Sequence, residues 1–153
     1  PLHALSFPEL FTALQVPYSA LDRSADSDLF PLARKKEVDV VVRSIFLQGL
    51  LSAATTRPLP AAMYSLTKAL GEFELCAADA GISTAELALR YVAYNPKIRV
   101  SLFGTTRIEE LNQNLRYYEA GPLPADLRLR IQKIEVADKR LLNPGNWTAH
   151  LNA

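Results

Sequence analysis

Hydrophobic positions along the chain follow two periods, and the switches between them divide it into alternating strands and helices. Val38 to Arg43, VDVVVR, is a continuous β-branched run, which predicts a parallel strand buried on both faces. Ile98, Val100, Leu102 and Phe103 predict a second buried strand, and Gln15 to Tyr18 a brief one broken by Pro17. Helical spacing governs most of the rest. Met63, Leu66, Leu70, Phe73 and Ala77 share one face of a helix from roughly Ala61 to Ala80, terminated by Gly81. Leu87, Ala88, Tyr91 and Val92 face inward from a helix capped by Ser83 or Thr84 and stopped near Tyr94 by Asn95-Pro96.

Four further helices complete the pattern. Pro8 to Leu14 has Ser6 as a cap and Pro8 in its first turn, and Asp28 to Lys36 contains an early Pro31. Arg107 to about Glu119 carries Ile108, Leu111, Leu115 and Tyr118 at helical spacing. Pro124 to about Arg140 places Leu127, Ile131, Ile134 and Ala137 on one face, and Asn143-Pro144-Gly145-Asn146 ends it, leaving Trp147 in a short tail. Asp22 to Ser27 and Ser52 to Pro60 are loops. The order is that of an α/β chain with right-handed crossovers, a single domain over residues 1–153.

Composition narrows the function classes. The chain is 49% hydrophobic and 22% charged, a globular balance. A net charge of +1, with both signs interspersed, gives no electrostatic footprint for nucleic acid or an anionic membrane. The longest basic run, Arg34-Lys35-Lys36, falls where it complements a helix dipole. Cys76 is the only cysteine, so no intrachain disulfide forms and a cytoplasmic location is expected, with the thiol packed in a helix core. No apolar run approaches the ~20 residues of a bilayer span. The opening PLHALSFPELF has neither a signal-peptide pattern nor a starting Met, so a chain that begins inside a longer product is expected.

The candidate chemistry sits at one corner. Strand Ile98 to Phe103, the turn at Gly104, and a helix capped by Thr105 or Thr106 place backbone N–H groups and two hydroxyls at a helix N-terminus, which suits a phosphate. GTTRIEELNQNL, from Gly104 to Leu115, resembles the last strand-to-helix corner of the aldo-keto reductases, which in that family holds the adenosine end of NADP(H). VDVVVRSIFLQGLL, Val38 to Leu51, resembles the family's seventh strand and the following loop. LQVPYSALDR, Leu14 to Arg23, resembles its sixth strand with its Gln.

The resemblance implies a cofactor side, carried by residue. Gln15 matches the strand-six Gln that bonds the nicotinamide carboxamide, and Arg43 stands where the family often stacks an aromatic ring on the nicotinamide. Ser44, Phe46 and Gln48 occupy the loop that wraps the pyrophosphate. Gly104, Thr105 and Thr106 match the corner near the adenosine ribose, while Gln113 and Asn114 match the pair that recognises adenine. Glu110 stands where many members place an Arg on the 2′-phosphate; a carboxylate there repels phosphate and accepts instead from a ribose hydroxyl, with Arg107 near enough to compensate. Family habit puts NADP(H) ahead of NAD(H).

The same resemblance implies a partial (β/α)8 barrel, its sixth to eighth units. A full barrel takes ~250 residues, and three strands cannot close one. They leave open edges, so completion by self-association, a second chain or a missing N-terminal half is expected. The family's Tyr, Lys, His and Asp catalytic set belongs to the first half of the barrel. His3 and His150 lie near the termini in polar or loop contexts, and the tyrosines fit aromatic packing. No catalytic residue is assigned, nor any metal ligand. The resemblance thus implies that residues 1–153 are the C-terminal portion of an aldo-keto-reductase-like oxidoreductase, supplying the dinucleotide-binding side for reduction of an aldehyde, ketone or sugar carbonyl and inactive alone. The alternative is a non-catalytic, self-associating barrel fragment that acts as a binding or interaction module.

Overall fold

The computed structural model describes residues 1–52 and 59–147. Most of the loop expected between Ser52 and Pro60, and His150, therefore lie outside the described residues. Three strands form one parallel sheet in the order β1 (Ala13–Pro17), β2 (Asp39–Arg43), β3 (Val100–Ser101). Helix α1 (Leu29–Lys35) connects the first pair, and α2 (Tyr64–Asp79) with α3 (Thr84–Ala93) connects the second. Helices α4 (Ile108–Glu119) and α5 (Ala125–Lys133) follow.

The core lies on one face of the sheet. Leu14 and Val16 pair with Val40 and Val42, and all four are buried against the helices. Met63, Leu66, Leu70, Phe73 and Ala77 of the Ala61–Asp79 segment fill the layer, as the helical spacing requires, with Leu87, Ala88, Tyr91 and Val92 of α3 beside them. Each fully buried large side chain contributes roughly 1.5–3 kcal/mol. Gly81, at φ +66°, takes the left-handed position that stops α2, and Ser83 caps α3 by accepting the Glu86 N–H at 3.1 Å. Cys76 is a buried free thiol in α2.

The other face of the sheet is bare. Ala13, Gln15 and Pro17 on β1, and Asp39 and Arg43 on β2, are exposed, with Val41 half-buried between them. The β-branched run of β2 is therefore buried on one face, not two: side-chain alternation sends every second residue to a side without a covering layer. The strand expected from Ile98 to Phe103 is likewise short. Only Val100 and Ser101 are in register with β2; Val100 is exposed because it shares the bare sheet face with Val41, and Leu102 and Phe103 are exposed at the strand's carboxyl end.

Further expectations fail at the chain ends. Pro8 to Leu14 is not a helix; a 3₁₀ turn covers Leu2–Ser6, isolated turns follow, and β1 opens at Ala13. The Thr12 carbonyl accepts the Asp39 N–H at 2.9 Å, so pairing with β2 overrides local helical preference. The last helix ends at Lys133 rather than near Arg140, because Ile134 turns to extended backbone. Beyond it Ile134 and Val136 are buried and Ala137 is exposed, a strand-like alternation. A 3₁₀ segment Lys139–Leu142 then leads to Trp147, which is buried and donates its indole N–H to the Leu141 carbonyl at 2.8 Å.

Candidate functional site

All three strands point their carboxyl ends at one groove. A cleft of about 580 Å³ is walled by Arg43 and the loop after β2, by Leu102 to Thr105 after β3, and by one face of α4. A second cleft of about 360 Å³ extends from it across Pro17 and Ser19 to Asn143–Gly145, and Arg43, Ser44 and Gln48 belong to both. These volumes lie in the range of small-molecule sites.

The loop after β2 is held in an uncommon shape. Ser44, Leu47 and Gln48 have φ of 63°, 46° and 55°, and Gly49 follows at 88°. For side-chain-bearing residues such conformations cost about 1–3 kcal/mol each and persist only where surroundings impose them. Here the buried Ile45, Leu47 and Leu51 anchor the loop, and the Ser44 and Gly49 carbonyls accept from Leu47 and Ser52. The Arg43 guanidinium donates to Ser44 Oγ at 3.1 Å. Phe46 meets Phe103 edge-on at 6.2 Å, closing the wall between the β2 and β3 loops.

On the far side α4 presents Glu110, Gln113, Asn114 and Tyr117, four residues at helical spacing. Asn114 is the one buried residue of α4, and it is polar. Among the described residues its side-chain amide, 8% exposed and lining the cleft, has no hydrogen-bond partner. Its amide atoms keep contact with solvent in the cleft, where they are open to a ligand's donors and acceptors. Tyr117 is oriented by Ser83, whose Oγ donates to the phenol oxygen at 3.0 Å.

The helix is not capped by a threonine. Arg107 is the N-cap, without a side-chain cap bond, and Thr105 acts one step earlier. Its hydroxyl accepts the Arg107 N–H at 3.1 Å and donates to Glu110 Oε2 at 2.5 Å. Thr106 is exposed and lines neither cleft.

Of the residues singled out from the sequence, Arg43, Ser44, Phe46, Gln48, Gly104, Thr105, Glu110, Gln113 and Asn114 share the larger cleft. Gln15 lies outside both clefts but on the same bare sheet face as Arg43, one alternation back along the strands. Tyr117, Phe103, Gly49 and Ser52 also line the cleft and were not singled out. Tyr117 was within reach, since it sits three residues beyond Asn114 on the same face.

Tyr18 is no proton donor in waiting. It is buried at the end of β1, donates to Asp26 Oδ2 at 3.0 Å and accepts from Asn95 Nδ2 at 3.2 Å. Burial pushes its pKa well above the ordinary 10.0, and the neighbouring Tyr91 and Asp26 add to this. Its proton is held, not loosened. His3 lines neither cleft and meets Phe7 edge-on at 5.4 Å.

A groove over the carboxyl ends of parallel strands joined by helices is the ligand site of α/β-barrel proteins. The chain belongs to the aldo/keto reductase family, whose model matches residues 7–136. It is similar to the aldo-keto reductase AKR11C1 from Bacillus halodurans. The holo form aligns with a TM-score of 0.72 at 27% identity, over 92% of this chain and 50% of that one. The apo form gives 0.71 and 28%, over 92% and 51%. The chain thus spans about half the length of the solved structures it matches, and its three parallel strands and helices are a partial barrel of that fold. Among the described residues no helix is long and apolar enough to cross a membrane.

Proposed function

We propose that the groove binds a nicotinamide dinucleotide, and that this chain is the cofactor side of an aldo-keto-reductase-type oxidoreductase. Gln15 and Arg43 would hold the nicotinamide end, Ser44, Phe46 and Gln48 the pyrophosphate, and Gly104, Thr105, Thr106, Glu110, Gln113 and Asn114 the adenosine end. When bound, the dinucleotide supplies the hydride for reduction of an aldehyde, ketone or sugar carbonyl. The chain's own residues bind and orient it. The proton donor comes from strands outside this chain, so the chain alone does not turn over.

The observation that carries the reading is Asn114, the one buried residue of α4, whose amide has no protein partner among the described residues and opens onto a cleft lined by residues from both neighbouring strand ends. The strained Ser44–Gly49 loop supports it, since such conformations concentrate at ligand sites. Fluorescence titration with NADH and NADPH tests it. Binding in the micromolar range is expected, with Asn114→Ala weakening it about tenfold. No binding to a chain whose circular dichroism is native would refute the reading. The exposed apolar sheet edges favour a second one, in which the same fold is a non-catalytic segment that associates with other barrel strands.

A further inference from the structure

The adenosine end of the proposed site carries an unexpected charge. Among the described residues Glu110 is the only charged one lining that end of the cleft; the other charged residue there, Arg43, belongs to the β2 loop and bonds Ser44. Glu110 also engages the groups that a phosphate would need. The Thr105 hydroxyl donates to Glu110 Oε2 at 2.5 Å, and Arg107 Nη1 lies 3.6 Å from Oε1. With Glu109 in the same first turn, two carboxylates stand against one guanidinium, so the helix N-terminus already holds its anion.

A phosphate monoester brought to this corner meets a carboxylate and must displace it from both partners. A ribose with free hydroxyls meets an acceptor. An ionised carboxylate takes O–H donors in short, charge-assisted bonds, and acidic residues read the ribose diol of NAD in this way in other dinucleotide folds. We infer that Glu110 is the specificity-determining residue of the site, and that it selects NAD(H) over NADP(H). The inference rests on the dinucleotide reading above and reverses the order expected from family habit.

Isothermal titration calorimetry on the full chain, with NADH, NADPH, adenosine 5′-monophosphate and adenosine 2′,5′-bisphosphate, tests it without any turnover. NADH should bind about tenfold or more tightly than NADPH, and the monophosphate should outbind the bisphosphate by a similar ratio. Glu110→Gln should bring both ratios toward one, and Glu110→Arg should invert them. Equal or tighter binding of NADPH by the unaltered chain overturns the inference while leaving the dinucleotide reading in place. A preference for NADH that survives Glu110→Gln overturns the assignment to Glu110. If a natively folded chain binds none of the four, the dinucleotide reading fails and takes the inference with it. The wild-type ratio alone decides the matter should either variant fail to fold.

Discussion

Helix α4 has two working faces, and the second yields the most demanding prediction. Glu110, Gln113, Asn114 and Tyr117 turn to the cleft. Ile108, Leu111 and Leu115, the apolar stripe read from the sequence, remain 61%, 37% and 51% exposed. Tyr118 on the same stripe stacks on Tyr94 at 5.2 Å and is still half-exposed. The outer edge of β3 is unpaired as well, and Val100 on the bare sheet face is exposed. A helix that buries only an asparagine has been folded to pack against something further. Full burial of one such aliphatic side chain contributes about 1.5–3 kcal/mol, so covering what Ile108, Leu111 and Leu115 expose contributes roughly 2–4.5 kcal/mol. That corresponds to about thirty- to two-thousand-fold in an association constant. The triple variant Ile108→Gln, Leu111→Gln, Leu115→Gln keeps good helix formers and removes the apolar surface. Sedimentation velocity across a concentration series should show the unaltered chain associating and the variant shifted to higher concentration by that factor, with equal far-ultraviolet dichroism. A compact monomer at every concentration, or a variant that associates equally well, would refute the argument that this edge needs covering.

The other predictions concern the described core. Wild-type stability should fall as pH rises above about 10, because unfolded Tyr18 releases its proton near the ordinary value of 10.0 while the folded, buried phenol retains it. Tyr18→Phe should flatten that decline in a pH series of urea melts and cost about 1–2 kcal/mol at neutral pH by leaving Asn95 Nδ2 without its acceptor. Arg90 ties α3 to the turn before α5, donating to Gly121 O at 2.7 Å, Pro122 O at 3.1 Å and Glu86 Oε1 at 2.6 Å with little exposure. Arg90→Ala should therefore cost about 2–4 kcal/mol in urea denaturation, and Arg90→Lys should restore only part, since an ammonium cannot span the same fork.

What the sequence disclosed, and what it hid, divides along the line between local and long-range physics. Helices α2 and α3 were legible because their apolar period, caps and stop signals are local, and each apolar position named for them is buried. The strand at Asp39–Arg43 was legible as a strand but not as a half-covered one, because β-branching reports backbone preference and not what lies opposite. Ala13 and Leu14 misled for a related reason: their strand exists by pairing with Asp39 and Val40, partners more than twenty residues away. The α4 stripe makes the same point from the other side. Its spacing was legible, yet the surface that would cover its apolar face is absent from this chain's described fold.

The two faces of α4 are also why cofactor binding and completion of the barrel are one structural question. Asn114 and Gln113 reach the cleft only while the helix keeps its rotation about its own axis, and that rotation is fixed on one side by α3, through Ser83–Tyr117 and the Tyr94 hydroxyl donating to the Tyr118 carbonyl at 2.6 Å. On the opposite side Ile108 and Leu115 remain more than half exposed. A covering partner there would restrict the helix further and leave less ordering to be done when ligand arrives, which raises affinity without adding a ligand contact. Dinucleotide affinity should therefore rise when the edge is occupied by complementary barrel strands, and the triple glutamine variant should lose that increase while keeping the affinity of the isolated chain. An affinity indifferent to occupation of the edge would mean that α3 alone sets the helix, and that the two faces of α4 act independently.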